Sequence, residues 1–150
     1  MDALLTSTVL VALAEMGDKT QLLSIVLAAR YRKPWPILAG ILVATAANHA
    51  LAALLGIAAA EAVSPTLLRW VVGAGFIAMG AWMLVPDKPA AEGAAEPRYG
   101  VFVATTVAFF IVEIGDKTQV ATVALAARYA SVFAVVIGTT LGMLAANLPA

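Results

Sequence analysis

Cysteine is missing from this sequence, and histidine occurs once, as His49. Without thiols there are no disulfides, thiolate metal sites, iron–sulfur clusters or cysteine nucleophiles. With one imidazole there is no His-Glu-x-x-His zinc motif, and the usual nucleophile–base arrangements of enzymes lack parts. The chain therefore reads as something other than an enzyme, with no cofactor expected. Any metal ion must bind through oxygen or through His49. Charge is nearly as scarce. Asp, Glu, Lys and Arg make up 12% of the 150 residues, about half the share usual in globular chains. Nine basic residues balance nine acidic ones, which leaves no excess for phosphate backbones and excludes nucleic acid as a partner.

Apolar side chains are what the sequence has in abundance, at 63% with a mean hydropathy of +0.96. A domain of this size has too little interior to hide them, so lipid must cover much of its surface. Five hydrophobic segments follow one another, over 3–29, 37–60, 67–85, 101–127 and 132–150, each near the length of about 20 residues that crosses a bilayer. The stretch 86–100, rich in Pro, Glu and Ala, reads as a solvated linker. Met1 and Asp2 supply no positive region for a signal peptide, and Glu15, Asp18 and Lys19 would fall in or beside its cleavage zone, so the first segment is expected to be retained. Arg30, Arg32, Lys33, Lys88 and Arg98 fall in alternate loops on one side, against Arg69 and Arg128 on the other. The first side is expected to be cytoplasmic and the N-terminus outside, in the inner membrane of a bacterial cell.

Self-similarity organises the chain. Glu15-Met-Gly-Asp-Lys-Thr-Gln21 recurs as Glu113-Ile-Gly-Asp-Lys-Thr-Gln119, Leu27-Ala-Ala-Arg-Tyr31 recurs as Leu125-Ala-Ala-Arg-Tyr129, and Gly40 matches Gly138, all at an offset of 98. Asn48 resembles Asn147, where the offset has slipped to 99. Three hydrophobic segments separate one repeat start from the next, and an odd number reverses the direction of entry. The predicted fold is an all-α integral membrane protein of two inverted three-helix repeats, the plan of secondary transporters with substrate sites near the midplane. The first repeat is 1–85, the cytoplasmic loop 86–100, and the second repeat 101–150 is expected to lack its last helix. A fragment, a truncation, a homo-oligomer or a completing chain would each account for that.

In a continuous helix Glu15, Asp18 and Lys19 would share one face, as would Glu113, Asp116 and Lys117. Ionisable groups at membrane depth cost on the order of 2.5–3.5 kcal/mol each, so they should face one another or water. Gly17 and Gly115 either admit a close neighbour or let the helix unwind. If the motifs converge, four carboxylates meet two lysines, and a divalent cation neutralises the remainder. Carboxylate, amide and hydroxyl oxygens suit Ca²⁺, Mn²⁺ or Mg²⁺ better than Zn²⁺ or Cu⁺. Protons can replace the cation, which makes cation/proton exchange the expected chemistry.

The doubled Glu-x-Gly-Asp-Lys-Thr in hydrophobic segments resembles the transmembrane protein 165 family (uncharacterised protein family 16) of the lysine-exporter superfamily, over nearly the whole chain. The resemblance implies a cation/proton antiporter for Mn²⁺ and Ca²⁺, with six spanning helices in two inverted halves. It also implies an ion path through Glu15, Asp18, Lys19 and Thr20 and through Glu113, Asp116, Lys117 and Thr118. The candidate metal ligands are thus Glu15, Asp18, Thr20, Glu113, Asp116 and Thr118. Lys19, Lys117, Gln21, Gln119, Asn48 and Asn147 are auxiliary, the two glutamines being either ligands or interhelical hydrogen-bonders. An exporter of a cationic organic solute, such as an amino acid, and a non-transporting membrane scaffold are the alternatives.

Other polar residues read as structural. His49 is expected to be a packed, hydrogen-bonded histidine, and Ser24 and Thr122 to bond helix backbone. Gly73, Gly75 and Gly80 suggest a small-residue packing face. Trp35, Trp70 and Trp82 sit near segment ends, as interfacial anchors do.

Overall fold

A computed structural model describes residues 1–84 and 100–149, and the linker 86–100 with Lys88 and Arg98 lies almost wholly outside them. The described residues are all-helical: α1 (Asp2–Glu15), α2 (Lys19–Tyr31), α3 (Pro34–Ala62), α4 (Pro65–Met83), α5 (Val101–Glu113), α6 (Lys117–Tyr129) and α7 (Val132–Asn147). Among them α3 alone is long and apolar enough by itself to cross a membrane, with 29 residues. The first and fourth hydrophobic segments are each two half-helices end to end. At a rise of 1.5 Å per residue, α1 or α2 reaches only about 20 Å, and the two together about 40 Å.

Helix boundaries follow local chemistry. Pro34 and Pro65 open α3 and α4 at first-turn positions, where the missing N–H costs nothing. Ser64 caps α4 by accepting from Leu67 N, and Ser131 caps α7 by accepting from Ala134 N. Helices α2 and α6 both end on a left-handed residue, Arg32 and Ala130, whose N–H returns to the carbonyl oxygen four residues back.

Helix α1 packs on α7, and α5 on α3. Helix α2 touches α5 and α6 touches α1, while α3 packs on α6 and α7 on α2. Exchanging α1, α2 and α3 for α5, α6 and α7 maps each of these contacts onto another, whereas the packing of α4 on α6 has no counterpart among the described helices. The matched glycines show why the pairs close. A Cβ on Gly40 would stand 2.8 Å from Cβ of Thr105, and one on Gly138 would stand 2.8 Å from Cβ of Ser7. Ser7 and Thr105 are themselves 98 residues apart, so each half offers a glycine to the hydroxyl residue of the other. The small-residue face expected on α4 meets no partner among the described residues, where Gly73, Gly75 and Gly80 have nothing within 4 Å.

The interior is unusually rich in polar side chains. Ser7, Thr20, Thr45, Asn48, Thr105, Thr122 and Thr139 are buried beside Leu27, Ile41, Phe109 and Leu125, while Leu5, Leu13, Leu54, Leu55, Ile77 and Ile111 are more than half exposed. Water would favour the reverse, and a lipid surround favours what is seen. Trp35 and Trp70 are exposed, as interfacial anchors would be.

Candidate metal-ion site

Each motif breaks a helix with the same turn. Helix α1 stops at Glu15. Met16 is extended at φ −63°, ψ 116°, Gly17 is left-handed at φ +79°, and Asp18 N donates to Glu15 O at 3.0 Å. Those are the marks of a type II turn, whose third residue favours glycine. The second copy repeats it, with Ile114 at φ −60°, ψ 121°, Gly115 at φ +76° and Asp116 N donating to Glu113 O at 3.1 Å. This corrects the picture of acids and lysine on one helical face. Glu15 and Glu113 end their half-helices, and Asp18 and Asp116 occupy the N-caps of α2 and α6. The aspartates thus sit at the positive ends of helix dipoles, and the glutamates lie beside the negative ends of α1 and α5, where a cation is favoured.

The two turns meet. Lys19 Nζ lies 2.9 Å from Asp116 Oδ1, and Lys117 Nζ lies 3.6 Å from Asp18 Oδ1, so each lysine reaches across to the other motif. Glu15, Asp18 and Asp116 each bring one carboxylate oxygen within 4.8 Å of the others, and all three are buried. Oxygens on opposite sides of one Ca²⁺ stand about 4.6–5.2 Å apart, so this spacing fits a shared hard cation.

Glu113 is buried but falls outside that trio, and Thr45 Oγ1 donates to its Oε1 at 3.0 Å. Thr20 donates to Glu15. Among the described residues Glu15 Oε1, Glu113 Oε2, Asp116 Oδ2, Thr118 Oγ1 and Asn48 Oδ1 are buried and make no hydrogen bond. Unmet acceptors are costly in a dry interior, and those of Glu15 and Asp116 belong to the converging trio, a place suited to a cation or to protons.

The auxiliary residues divide. Gln21 Oε1 accepts from Gly17 N at 3.0 Å, its Nε2 donates to Ala146 O at 3.0 Å, and Gln119 Oε1 accepts from Gly115 N at 2.7 Å. Both amide oxygens are thus occupied in holding the turns. Asn48 Nδ2 donates to Phe110 O at 3.0 Å, and its amide oxygen is one of the unmet acceptors. Asn147 instead accepts from Ser24 Oγ at 2.7 Å and donates to Met143 O at 3.0 Å. The slipped offset of the asparagines appears as this difference in partners. Ser24 and Thr122 do bond backbone, to Thr20 O and Thr118 O. His49 is buried with neither ring nitrogen hydrogen-bonded among the described residues, unlike the expected bonded state.

Thr45 was not legible from the motifs. It stands one helical turn before Asn48 on α3, and that i, i+3 relation to a buried amide is its one signal.

The family model described as "Divalent cation/proton antiporter GDT1" matches residues 3–91 and 101–150. The chain belongs to this family. It is 56% identical over 150 residues to a Vibrio cholerae protein named "Putative manganese exporter", covering 99% of this chain and 74% of that one. It is also 30% identical over 149 residues to the "GDT1-like protein sll0615" of Synechocystis, covering 85% and 71%. No solved structure matches it. GDT1 proteins are membrane transporters and not enzymes, which agrees with the missing nucleophile–base sets and with the inverted distribution of polar and apolar side chains.

Proposed function

We propose that this GDT1 chain is a secondary antiporter that carries Mn²⁺ across the membrane against protons, with its two Glu-x-Gly-Asp-Lys-Thr motifs as the ion site. Ca²⁺ is a second substrate, since the same hard oxygens accept it. The observation that carries the reading is the meeting of Glu15, Asp18 and Asp116 from both motifs within 4.8 Å. The name of the Vibrio relative favours manganese.

Charge balance gives the exchange its logic. Four carboxylates, Glu15, Asp18, Glu113 and Asp116, face Lys19 and Lys117, which leaves two negative charges to offset. One divalent cation does so, and so do two protons. A membrane-embedded site is least costly to move when neutral, so it travels loaded with one or the other. Glu15, Asp18, Asp116 and the free oxygens of Thr118 and Asn48 hold the cation. Lys19 and Lys117 tie the two turns together through the opposite aspartates.

Two inverted repeats, 1–85 and 101–150, carry the alternating access. Support comes from the odd number of hydrophobic segments between repeat starts, the matched turns and the exchange of helix contacts. Each broken pair, α1 with α2 and α5 with α6, crosses as one span, giving five spans with α3, α4 and α7. Arg30, Arg32 and Lys33 against Arg69 and Arg128 favour an N-terminus outside the inner membrane.

The test is Mn²⁺ and Ca²⁺ flux into proteoliposomes with internal pH recorded. Wild type moves Mn²⁺ with counterflow of protons, and Glu15→Gln and Asp116→Asn insert normally but do not transport. Unchanged flux in both variants, or flux blocked by lysine and indifferent to Mn²⁺, would overturn the mechanism.

A further inference from the structure

Away from the motifs, a groove of about 600 Å³ runs between α4 and the end of α6. Its lining is both apolar and charged. Leu68, Val72, Gly73 and Phe76 lie on one face of α4 at helical spacing, and Val72 packs with Ala124 and Ala127 of α6 to make an apolar floor. Arg69 and Arg128 line the same groove, one a turn into α4 and the other in the last turn of α6. Both are exposed, and neither forms an ion pair among the described residues. The Arg128 guanidinium rests over the Tyr129 ring, 5.6 Å from its centroid, which limits its wandering. From Pro65 to Phe76 the groove follows α4 for about 16 Å, at 1.5 Å per residue.

We infer that this groove holds an anionic phospholipid, its phosphate between Arg69 and Arg128 and an acyl chain along Leu68, Val72, Gly73 and Phe76. The charge complementarity decides the occupant. Two guanidiniums lining one groove fit a phosphate diester, and the apolar residues that line the rest of it fit a hydrocarbon tail, whereas a free anion needs no apolar lining and a neutral lipid needs no second arginine. The protein lies in lipid, so this ligand is always at hand. Bound there, it joins α4 to α6, the helix that carries Asp116 at its N-cap.

The purified protein, equilibrated in mild detergent with equal amounts of phosphatidylglycerol and phosphatidylcholine, is examined by native mass spectrometry for bound lipid. Wild type is expected to retain phosphatidylglycerol about tenfold over phosphatidylcholine. Arg69→Gln with Arg128→Gln should erase that preference. Gly73→Phe, whose side chain enters open space, should lower retention of both lipids about tenfold while lipid-free unfolding stays at the wild-type temperature. Should Gly73→Phe not fold, the smaller Gly73→Leu makes the same test. Equal retention of the two lipids by wild type overturns the proposal, as does a preference that survives loss of both arginines. Displacement of the lipid by inorganic phosphate alone would mark a free-anion site. Lipid loss that tracks dissociation of a dimer would mark a seat for a second copy, and either result replaces the proposal.

Discussion

Lys19 reaches past its neighbour Asp18 to place Nζ 2.9 Å from Oδ1 of Asp116, in the other motif and 97 positions along the chain. The carboxylate is 1% exposed and the lysine 23%, so the pair is far more enclosed than a surface salt bridge. Removing one member of an enclosed pair strands the other. Lys19→Met is expected to cost about 3–5 kcal/mol of stability, where a surface pair would cost under about 1 kcal/mol. Lys19→Met combined with Asp116→Leu should recover most of that loss, because the excess of two negative charges is again that of wild type, three carboxylates against one lysine, yet should not transport. Thermal unfolding of the two variants in detergent, with Mn²⁺ flux alongside, checks both statements.

Gln21 and Gln119 separate a ligand from a turn-holder. Their oxygens accept from Gly17 N and Gly115 N, so Gln21→Ala removes a hydrogen bond from the turn and not a donor from the ion. The expected loss is about 0.5–1.5 kcal/mol of stability, with Mn²⁺ affinity held within about threefold, less than the tenfold that ~1.4 kcal/mol represents. Calorimetric titration of Mn²⁺ into Gln21→Ala and Gln119→Ala decides it, since a true ligand would show the opposite balance.

The two motifs and their 98-residue offset were legible because a repeated charged heptad inside apolar sequence has few structural uses. The helix break was only half legible. Gly17 and Gly115 allowed unwinding, but Glu15, Asp18 and Lys19 also satisfied the i, i+3, i+4 spacing of an intact helix, and periodicity cannot separate the two. The turn won because glycine makes a left-handed φ cheap and Asp18 is a good N-cap. The crossing of the lysines was out of reach, since it depends on how two distant turns oppose each other. Thr45 was hidden for a similar reason: its partner Glu113 lies 68 positions away. On α4, Gly73, Gly75 and Gly80 meet nothing within 4 Å among the described residues, and composition does not say which side of a helix finds a neighbour.

Glycines therefore test the packing directly. A Cβ on Gly138 would stand 2.6 Å from the Leu4 carbonyl oxygen, and backbone cannot swing aside. Gly138→Ala is expected to destabilise by about 1–3 kcal/mol, the usual cost of overpacking. Gly80 has open space around it and lies within α4, so Gly80→Ala should gain up to about 1 kcal/mol from helix propensity. Unfolding temperatures of the two variants, equal in composition, should move in opposite directions.

Cation binding should be visible as stability even without transport. A ligand that binds only the folded protein adds about 2.7 kcal/mol at a hundred times its dissociation constant. Mn²⁺ should therefore raise the unfolding temperature of wild type, and Ca²⁺ should do the same if it shares the site. Carboxylates must be deprotonated to ligate, so cation binding releases protons and the Mn²⁺ shift must shrink as pH falls. Glu15→Gln and Asp18→Asn remove members of the buried trio and should abolish the shift at every pH. A Mn²⁺ shift that stays constant with pH would mean that cation and proton do not compete for these oxygens, and the coupling would then have to reside elsewhere in the chain.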